Sequence, residues 1–231
     1  LDETESFEEL PDLLEWADVL CIGCGLGMGP HSEELLKKVL ENNKTPAVID
    51  ADGLNLLAKT DEWGIEQIRM NPSGYVLNIL AGHPQYLEGI SAGQFVFTPH
   101  LKEMSRLTGY SVQELKDNRR ELLRKYTEKV HAVCVLKDSR TLVKAPEGRL
   151  MINTTGNAAM AKAGSGDVLA GMITGLMAQH MRPDDAAVLG VYLHGLCGDH
   201  ARKELGSYSV LAGDLLKMLG RTLKELEDMT E

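Results

Sequence analysis

Short apolar runs that stop at glycine or at an acid, each followed by a helical pattern, recur along this 231-residue chain and constrain its fold more than any other feature. Residues 6–17 (SFEELPDLLEWA) read as an amphipathic helix and 18–23 (DVLCIG) as a buried strand. HSEELLKKVLENN follows as a helix with Ser32 as its N-cap. PAVID (46–50) is a strand, and LNLLAK (54–59) opens the next helix. FVFT (95–98) and HAVCVLK (131–137) are strands on either side of a long charged helix at 111–130, and 141–153 reads as a hairpin turning at APEG. The rest is helical, at about 157–162, 167–180, 184–204 and 212–227. In 61–94 the run YVLNIL fits strand or helix, and the glycines around it mark an irregular connection.

Alternating strands and helices predict one α/β domain over 1–231, a mostly parallel sheet with helices on both faces. In such sheets ligands sit beyond the carboxyl ends of the strands. That rule selects GCGLGMGP, DADGLN, TPHLKE and LKDSRT. The formal net charge of −10 disfavours a nucleic-acid or membrane-surface partner. No apolar run reaches the length that spans a bilayer. Four scattered cysteines and the lack of a charged-then-apolar leader lead us to expect a reduced, cytoplasmic setting.

Each strand end has two readings. GCGLGMGP misses the dinucleotide spacing G-x-G-x-x-G, because Met28 or Pro30 occupies the required glycine position. It serves either as a glycine-rich loop that a ligand can approach or as a tight turn. Cys21 and Cys24 form a C-x-x-C, but Cys21 falls inside an apolar strand rather than at a helix start, so both are expected to be buried core thiols. Asp50 and Asp52 could orient a polyol or approach magnesium, or could simply cap and turn the chain. His100, just past Pro99, is either a ligand contact or a structural donor. His194 and His200, six apart on one predicted helix, face apart and cannot share a metal.

The stretch NAAMAKAGSGDVLAG (157–171) packs small residues around one acid. Gly164, Ser165 and Gly166 turn the chain into a helix whose first amides and positive dipole end suit an anion. Asp167 at its start can take a proton from an attacking hydroxyl during phosphoryl transfer, or can act as a helix cap.

The AGSGDVLAG run resembles the G-[TS]-G-D signature of the ribokinase-like kinases. IGCGLG, DADGLNLLA, TPHLKEMSRLTG, LKDSRTLV and NTTGNAAMAKAGSGDVLAGMITGLMAQ are similar, in order, to segments of the ADP/ATP-dependent NAD(P)H-hydrate dehydratases. The resemblance runs from about residue 6 to SYSVLAGDLL and the closing helix. It implies a ribokinase-like three-layer sandwich and a repair reaction in which the hydroxyl of hydrated NADH or NADPH (S epimer) is phosphorylated from ADP or ATP and phosphate is then eliminated. By position, Asp167 would activate the hydroxyl, and Gly164, Ser165 and Gly166 would stabilise the transferring phosphoryl. Gly27, Asn55 and His100 would line the hydrate site. Lys137, Asp138, Ser139, Arg140, Thr141, Asn157 and Gly166 would meet the nucleotide, with Mg2+ on its phosphates. The resemblance also implies a homo-oligomer, a tetramer, and in many members an epimerase domain ahead of the dehydratase.

The chain departs from the family pattern in places. Leu101 and Lys102 follow TPH where proline and glycine are usual, and Asp138 and Ser139 stand in place of glycine and alanine. Cys24 replaces a proline, and Ala163 a common glycine. The family also opens with a βα segment that this chain lacks, so the resemblance implies an N-terminally incomplete domain. Two other readings remain: another ribokinase-like small-molecule kinase, such as a vitamin-precursor kinase, and a nucleotide-binding subunit without turnover.

Overall fold

The computed structural model describes residues 7–42, 45–59, 95–130 and 132–229; YVLNIL and the rest of 61–94 lie outside them. Six strands form one sheet in chain order: β1 (Leu20–Ile22), β2 (Ala47–Ile49), β3 (Phe95–Phe97), β4 (Val133–Leu136), β5 (Leu142–Lys144) and β6 (Leu150–Ile152). The first four run parallel, and the hairpin expected at 141–153 adds the last two antiparallel. Among the described residues the helices are α1 (Leu10–Trp16), α2 (Pro30–Asn42), α3 (Ala51–Ala58), α4 (Leu101–Thr108), α5 (Val112–Val130), α6 (Ser165–Met177), α7 (Pro183–Leu205) and α8 (Ala212–Asp228).

The strand period of two sorts side chains to the two faces of the sheet. Ile49, Phe95, Phe97, Cys134 and Leu136 pack with Leu36 of α2, Leu54 of α3, Met104 of α4 and Leu123 of α5. Their neighbours Val48, Val96, Val133 and Val135 face the other way, against Leu169 and Ile173 of α6 and Val191 of α7. A third cluster joins Met172 of α6, Cys197 and Ala201 of α7, and Leu215 of α8. The result is the three-layer α/β arrangement, with both faces of the central strands buried as parallel pairing requires. None of the described helices is long and apolar enough to cross a membrane.

Several boundaries differ from the sequence reading. Pro30 takes the first position of α2, so Ser32 lies inside the helix; its hydroxyl donates to the Leu26 carbonyl at 2.7 Å and ties the glycine loop down instead of capping. α3 begins at Ala51 and α6 at Ser165, earlier than expected in both cases. The segment at 157–162 is a single 3-10 turn, Ala158–Met160, with the Asn157 side chain accepting from the Ala159 N–H at 3.0 Å.

Candidate active site

Three strand ends and one helix start converge. After β1, Gly23 has φ +119°, and a Cβ there would stand 1.9 Å from the Asp50 carbonyl oxygen, so glycine alone fits this crossing of chains. Asp50 follows β2, its N–H donating to the Ile22 carbonyl at 3.1 Å. Lys137 follows β4 and is held by its N–H to the Pro99 carbonyl at 2.8 Å. Its ammonium donates to Asp50 Oδ1 at 2.7 Å, with the carboxylate side chain 1% and the lysine side chain 19% exposed. Asp50 Oδ2 is buried and carries no hydrogen bond.

This pair lies directly against the start of α6. A Cβ on Gly166 would be 3.2 Å from Lys137 Nζ and 3.6 Å from Asp50 Oδ2. Gly164 enters the helix in the left-handed region at φ +84°. The Ser165 N–H donates back to the Lys162 carbonyl at 3.2 Å. The first turn therefore presents the amides of Gly166 and Asp167 beside the Lys137 charge. Helix dipole and ammonium act in the same sense and favour an anion at this point. The Asp167 side chain is on an exposed residue of that turn, and no side-chain cap bond closes the helix.

A cleft of about 810 Å³ opens from α6. Lys137, Asp138, Ser139, Arg140, Thr141, Asn157, Ser165 and Gly166 line it, whereas Gly164 and Asp167 are outside the lining. The acid at 138 does not stand free beside this space: Arg119 donates to it at 3.0 Å. Asn157 is fixed by Nδ2 bonds to the Gly198 carbonyl at 2.9 Å and to Asp199 Oδ1 at 2.8 Å, while the Gly156 N–H takes the other Asp199 oxygen at 3.0 Å.

His100 also lines the cleft and is at the same time the N-cap of α4. Its Nδ1 accepts the Glu103 N–H at 3.1 Å, and its own N–H donates to Glu103 Oε2 at 2.7 Å. Its structural part is that of a cap whose ring nitrogen accepts, where a donor was expected. Burial pushes the Glu103 carboxyl up, opposed by the His100 N–H and by the Lys137 charge. Gly27 and Asn55 stand outside the cleft lining. The Gly27 N–H donates to Asp52 Oδ2 at 2.9 Å, and Asn55 Oδ1 accepts from Arg106 at 2.6 Å.

Two groups escaped the sequence reading. His194, on α7, lines the cleft with Nε2 3.3 Å from Ser165 Oγ. Burial lowers its pKa to about 4, the nearby Lys137 charge adding to the effect, so the ring is neutral. Asp199, one turn further, anchors the Gly156–Asn157 wall. Their signal was the glycine spacing of α7: a Cβ on Gly195 would lie 2.0 Å from Thr155 Oγ1, so the wall can approach the helix only there. The expectation that Cys21 and Cys24 are buried is corrected: both residues are exposed, and β1 lies at the edge of the sheet among the described residues.

Cys24 Sγ and carboxylate oxygens of Asp50 and Asp167 lie within 4.8 Å of one another. As a seat for resident magnesium the trio does not fit: one member is a soft thiol and another is already paired with Lys137.

A family model described as NAD(P)H-hydrate dehydratase matches residues 2–221. The chain is 40% identical over 227 residues to a bifunctional NAD(P)H-hydrate repair enzyme of Moorella thermoacetica, covering 98% of this chain and 38% of that protein. It is 33% identical over 217 residues to an ADP-dependent (S)-NAD(P)H-hydrate dehydratase of Neisseria meningitidis, covering 93% of this chain and 64% of that one. Among solved structures, the ADP/ATP-dependent NAD(P)H-hydrate dehydratase from Bacillus subtilis, co-crystallized with ATP/Mg2+, superposes with a TM-score of 0.71 and 30% identity, over 90% of this chain and 64% of that one. The chain thus spans about two fifths of the bifunctional relative's length and just under two thirds of the other two. With the family model matching residues 2–221 and a solved member at 30% identity superposing over 90% of the chain, the chain belongs to the NAD(P)H-hydrate dehydratase family.

Proposed function

We propose that this chain carries the nucleotide-dependent dehydration of hydrated NADH or NADPH, in the S configuration, back to the reduced cofactor. The observation that supports this reading is the start of α6, where two unpaired amides and a lysine ammonium lie beside a cleft large enough for a nucleotide and an exposed carboxylate stands on the same turn. Hydroxide leaves a ring carbon poorly and phosphate leaves well. A site that transfers a phosphoryl group to the ring hydroxyl therefore converts dehydration into an elimination of phosphate.

In this reading ADP or ATP enters as its magnesium complex and lies between Lys137–Thr141 and Asn157. Its terminal phosphoryl meets the Gly166 and Asp167 amides, beside Gly164 and Ser165, and these dipoles stabilise the charge spread over the transferring group. Asp167 takes the proton from the hydroxyl as the new P–O bond forms. Lys137, held by Asp50, keeps its charge next to the phosphoryl throughout. Gly27, Asn55 and His100 are assigned to the hydrate side. Residues 1–231 then belong to a single dehydratase domain, and homo-oligomeric assembly together with an epimerase partner domain belongs to the same reading.

The test mixes the protein with hydrated NADPH, magnesium and either ADP or ATP, and follows the return of dihydronicotinamide absorbance. Nucleotide-dependent recovery, absent from Asp167→Asn, is the expected result. Folded protein that binds nucleotide without restoring absorbance rejects the reading.

A further inference from the structure

The reaction proposed above leaves unused one titratable ring on the cleft, that of His194. Packing decides where it stands. A Cβ on Gly190 would lie 2.7 Å from Ile173 Cγ1, so α7 runs close against α6 at that turn. His194 is four residues further along α7, on the same face, and reaches the first residue of α6, its Nε2 3.3 Å from Ser165 Oγ. Ser165 is only 8% exposed, and both residues line the cleft together with Gly166. Desolvation, with the Lys137 charge nearby, keeps the ring neutral, so one of its two nitrogens carries a proton and the other a lone pair.

The pair can be bonded in two senses. A hydroxyl that donates to Nε2 turns only lone pairs toward the cleft, and these repel a phosphate oxygen. When Nε2–H donates to Oγ instead, the serine proton is free to point into the cleft. The surroundings select the second sense: the Lys137 ammonium and the positive end of α6 favour an anion at Gly166, the next residue, and an anion beside Ser165 needs a donor.

We infer that His194 is a positioning residue, whose Nε2–H donates to Ser165 Oγ and thereby directs the serine hydroxyl to donate to the phosphoryl group in transfer. That this phosphoryl passes to the hydrated cofactor rests on the function proposed above, whereas the pairing of His194 with Ser165 does not. Neither residue exchanges a proton. Asp167 still takes the proton of the attacking hydroxyl, and the Ser165 O–H joins the Gly166 and Asp167 amides as a third donor to the charge spread over the phosphoryl oxygens. A serine hydroxyl alone turns about its C–O bond. The ring fixes it in advance, which removes a reorganisation from the transfer step.

Four variants of the whole chain test this: His194→Leu, which fills similar space without a donor; His194→Gln, whose amide N–H can stand in for Nε2–H; Ser165→Ala; and Ser165→Ala with His194→Leu. Recovery of NADPH from its hydrate gives kcat and KM. Calorimetry gives the affinity for the leaving nucleotide, ADP or AMP, alone and with magnesium and aluminium fluoride, a planar mimic of the phosphoryl in transfer. His194→Leu and Ser165→Ala should each lower kcat about 10²-fold, the low end for loss of one preorganised donor, and weaken the aluminium fluoride complex by the same factor. KM for the nucleotide, and the affinity for nucleotide alone, should stay within about twofold. The double variant should lose no more than either single one, and His194→Gln should regain most of the rate. Should His194→Leu fail to fold, His194→Asn, polar but too short to reach Ser165, takes its place with the same expectations. A parental kcat without the ring, losses that multiply in the double variant, or equal weakening of nucleotide with and without aluminium fluoride overturns the proposal. A parent that binds the aluminium fluoride complex tightly, loses that gain in His194→Leu and never restores NADPH supports the positioning role and rejects the dehydratase reading.

Discussion

Lys137 Nζ donates to Asp50 Oδ1 at 2.7 Å across 87 positions of sequence, and the pair fills the space that Gly166 leaves at the start of α6. Removing the cation strands a carboxylate that is 1% exposed and whose other oxygen already has no partner. Lys137→Met should therefore destabilise the fold by about 3 kcal/mol, in the range seen when one member of a buried pair is lost. Asp50→Asn together with Lys137→Met should recover much of that loss, because the uncompensated charge is gone. Urea denaturation of the three variants measures this, and a single-variant loss below about 0.5 kcal/mol would show the pair to be dispensable.

Asp167 is exposed, and its contribution should be to chemistry rather than to folding. Asp167→Asn keeps the shape of the turn and removes the proton acceptor. Turnover should drop by about 10²- to 10⁴-fold, the usual weight of general-base catalysis, while stability stays within about 0.5 kcal/mol of the parent. Nucleotide binding followed by calorimetry should persist. A variant that turns over at the parental rate would remove Asp167 from the reaction.

Gly23 and Gly25 share one loop and both have positive φ, but their surroundings differ. A Cβ at Gly23 would meet the Asp50 carbonyl oxygen at 1.9 Å and the Gly53 nitrogen at 2.7 Å, backbone atoms that cannot turn aside, whereas one at Gly25 would meet nothing within 4 Å. Gly25→Ala should cost about 1 kcal/mol, the left-handed conformation alone. Gly23→Ala should cost about 3 kcal/mol or more, since the crossing of β1 and β2 must open. Equal losses in thermal or urea melts would refute this account of the crossing.

The layers were legible in the sequence because they rest on local period. The apolar runs AVI and FVF and the apolar stripes of α5 and α8 appear in any short window. Helix starts were less legible: Pro30 and Ser165 open their helices where a cap was sought at Ser32 and Asp167. The acid in G-S-G-D was legible as a carboxylate in the first turn of a helix, because the glycines before it mark where the chain turns into that helix. Asp50 was not, since its partner lies 87 residues away and a strand-end Asp looks the same whether it caps a helix or holds a lysine. The exposure of Cys21 escaped for a related reason, as an apolar run does not reveal whether its strand lies at the centre or the edge of the sheet.

His194 makes stability depend on pH in a window set by its own shift. Its half-buried ring lies against Ser165, and desolvation, with Lys137 nearby, lowers its pKa to about 4, whereas in the unfolded chain it titrates near 6.5. Between those values the unfolded chain binds the proton and the folded one does not, so stability must rise with pH there. The contribution is fully present above about pH 7 and is lost as the solution is acidified, reaching roughly 2 kcal/mol at about pH 5. Glu103, whose carboxyl is pushed up by burial, adds a pH dependence of its own, so the parent curve alone does not isolate the histidine. The difference between the parent and His194→Gln does, because glutamine keeps a polar partner for Ser165 and cannot take the charge. Unfolding free energies from about pH 7 down to pH 5 should show the parent losing roughly 2 kcal/mol relative to the variant. A difference that does not change with pH would mean that the folded protein accommodates a charged His194, and with it that this wall of the cleft admits water freely.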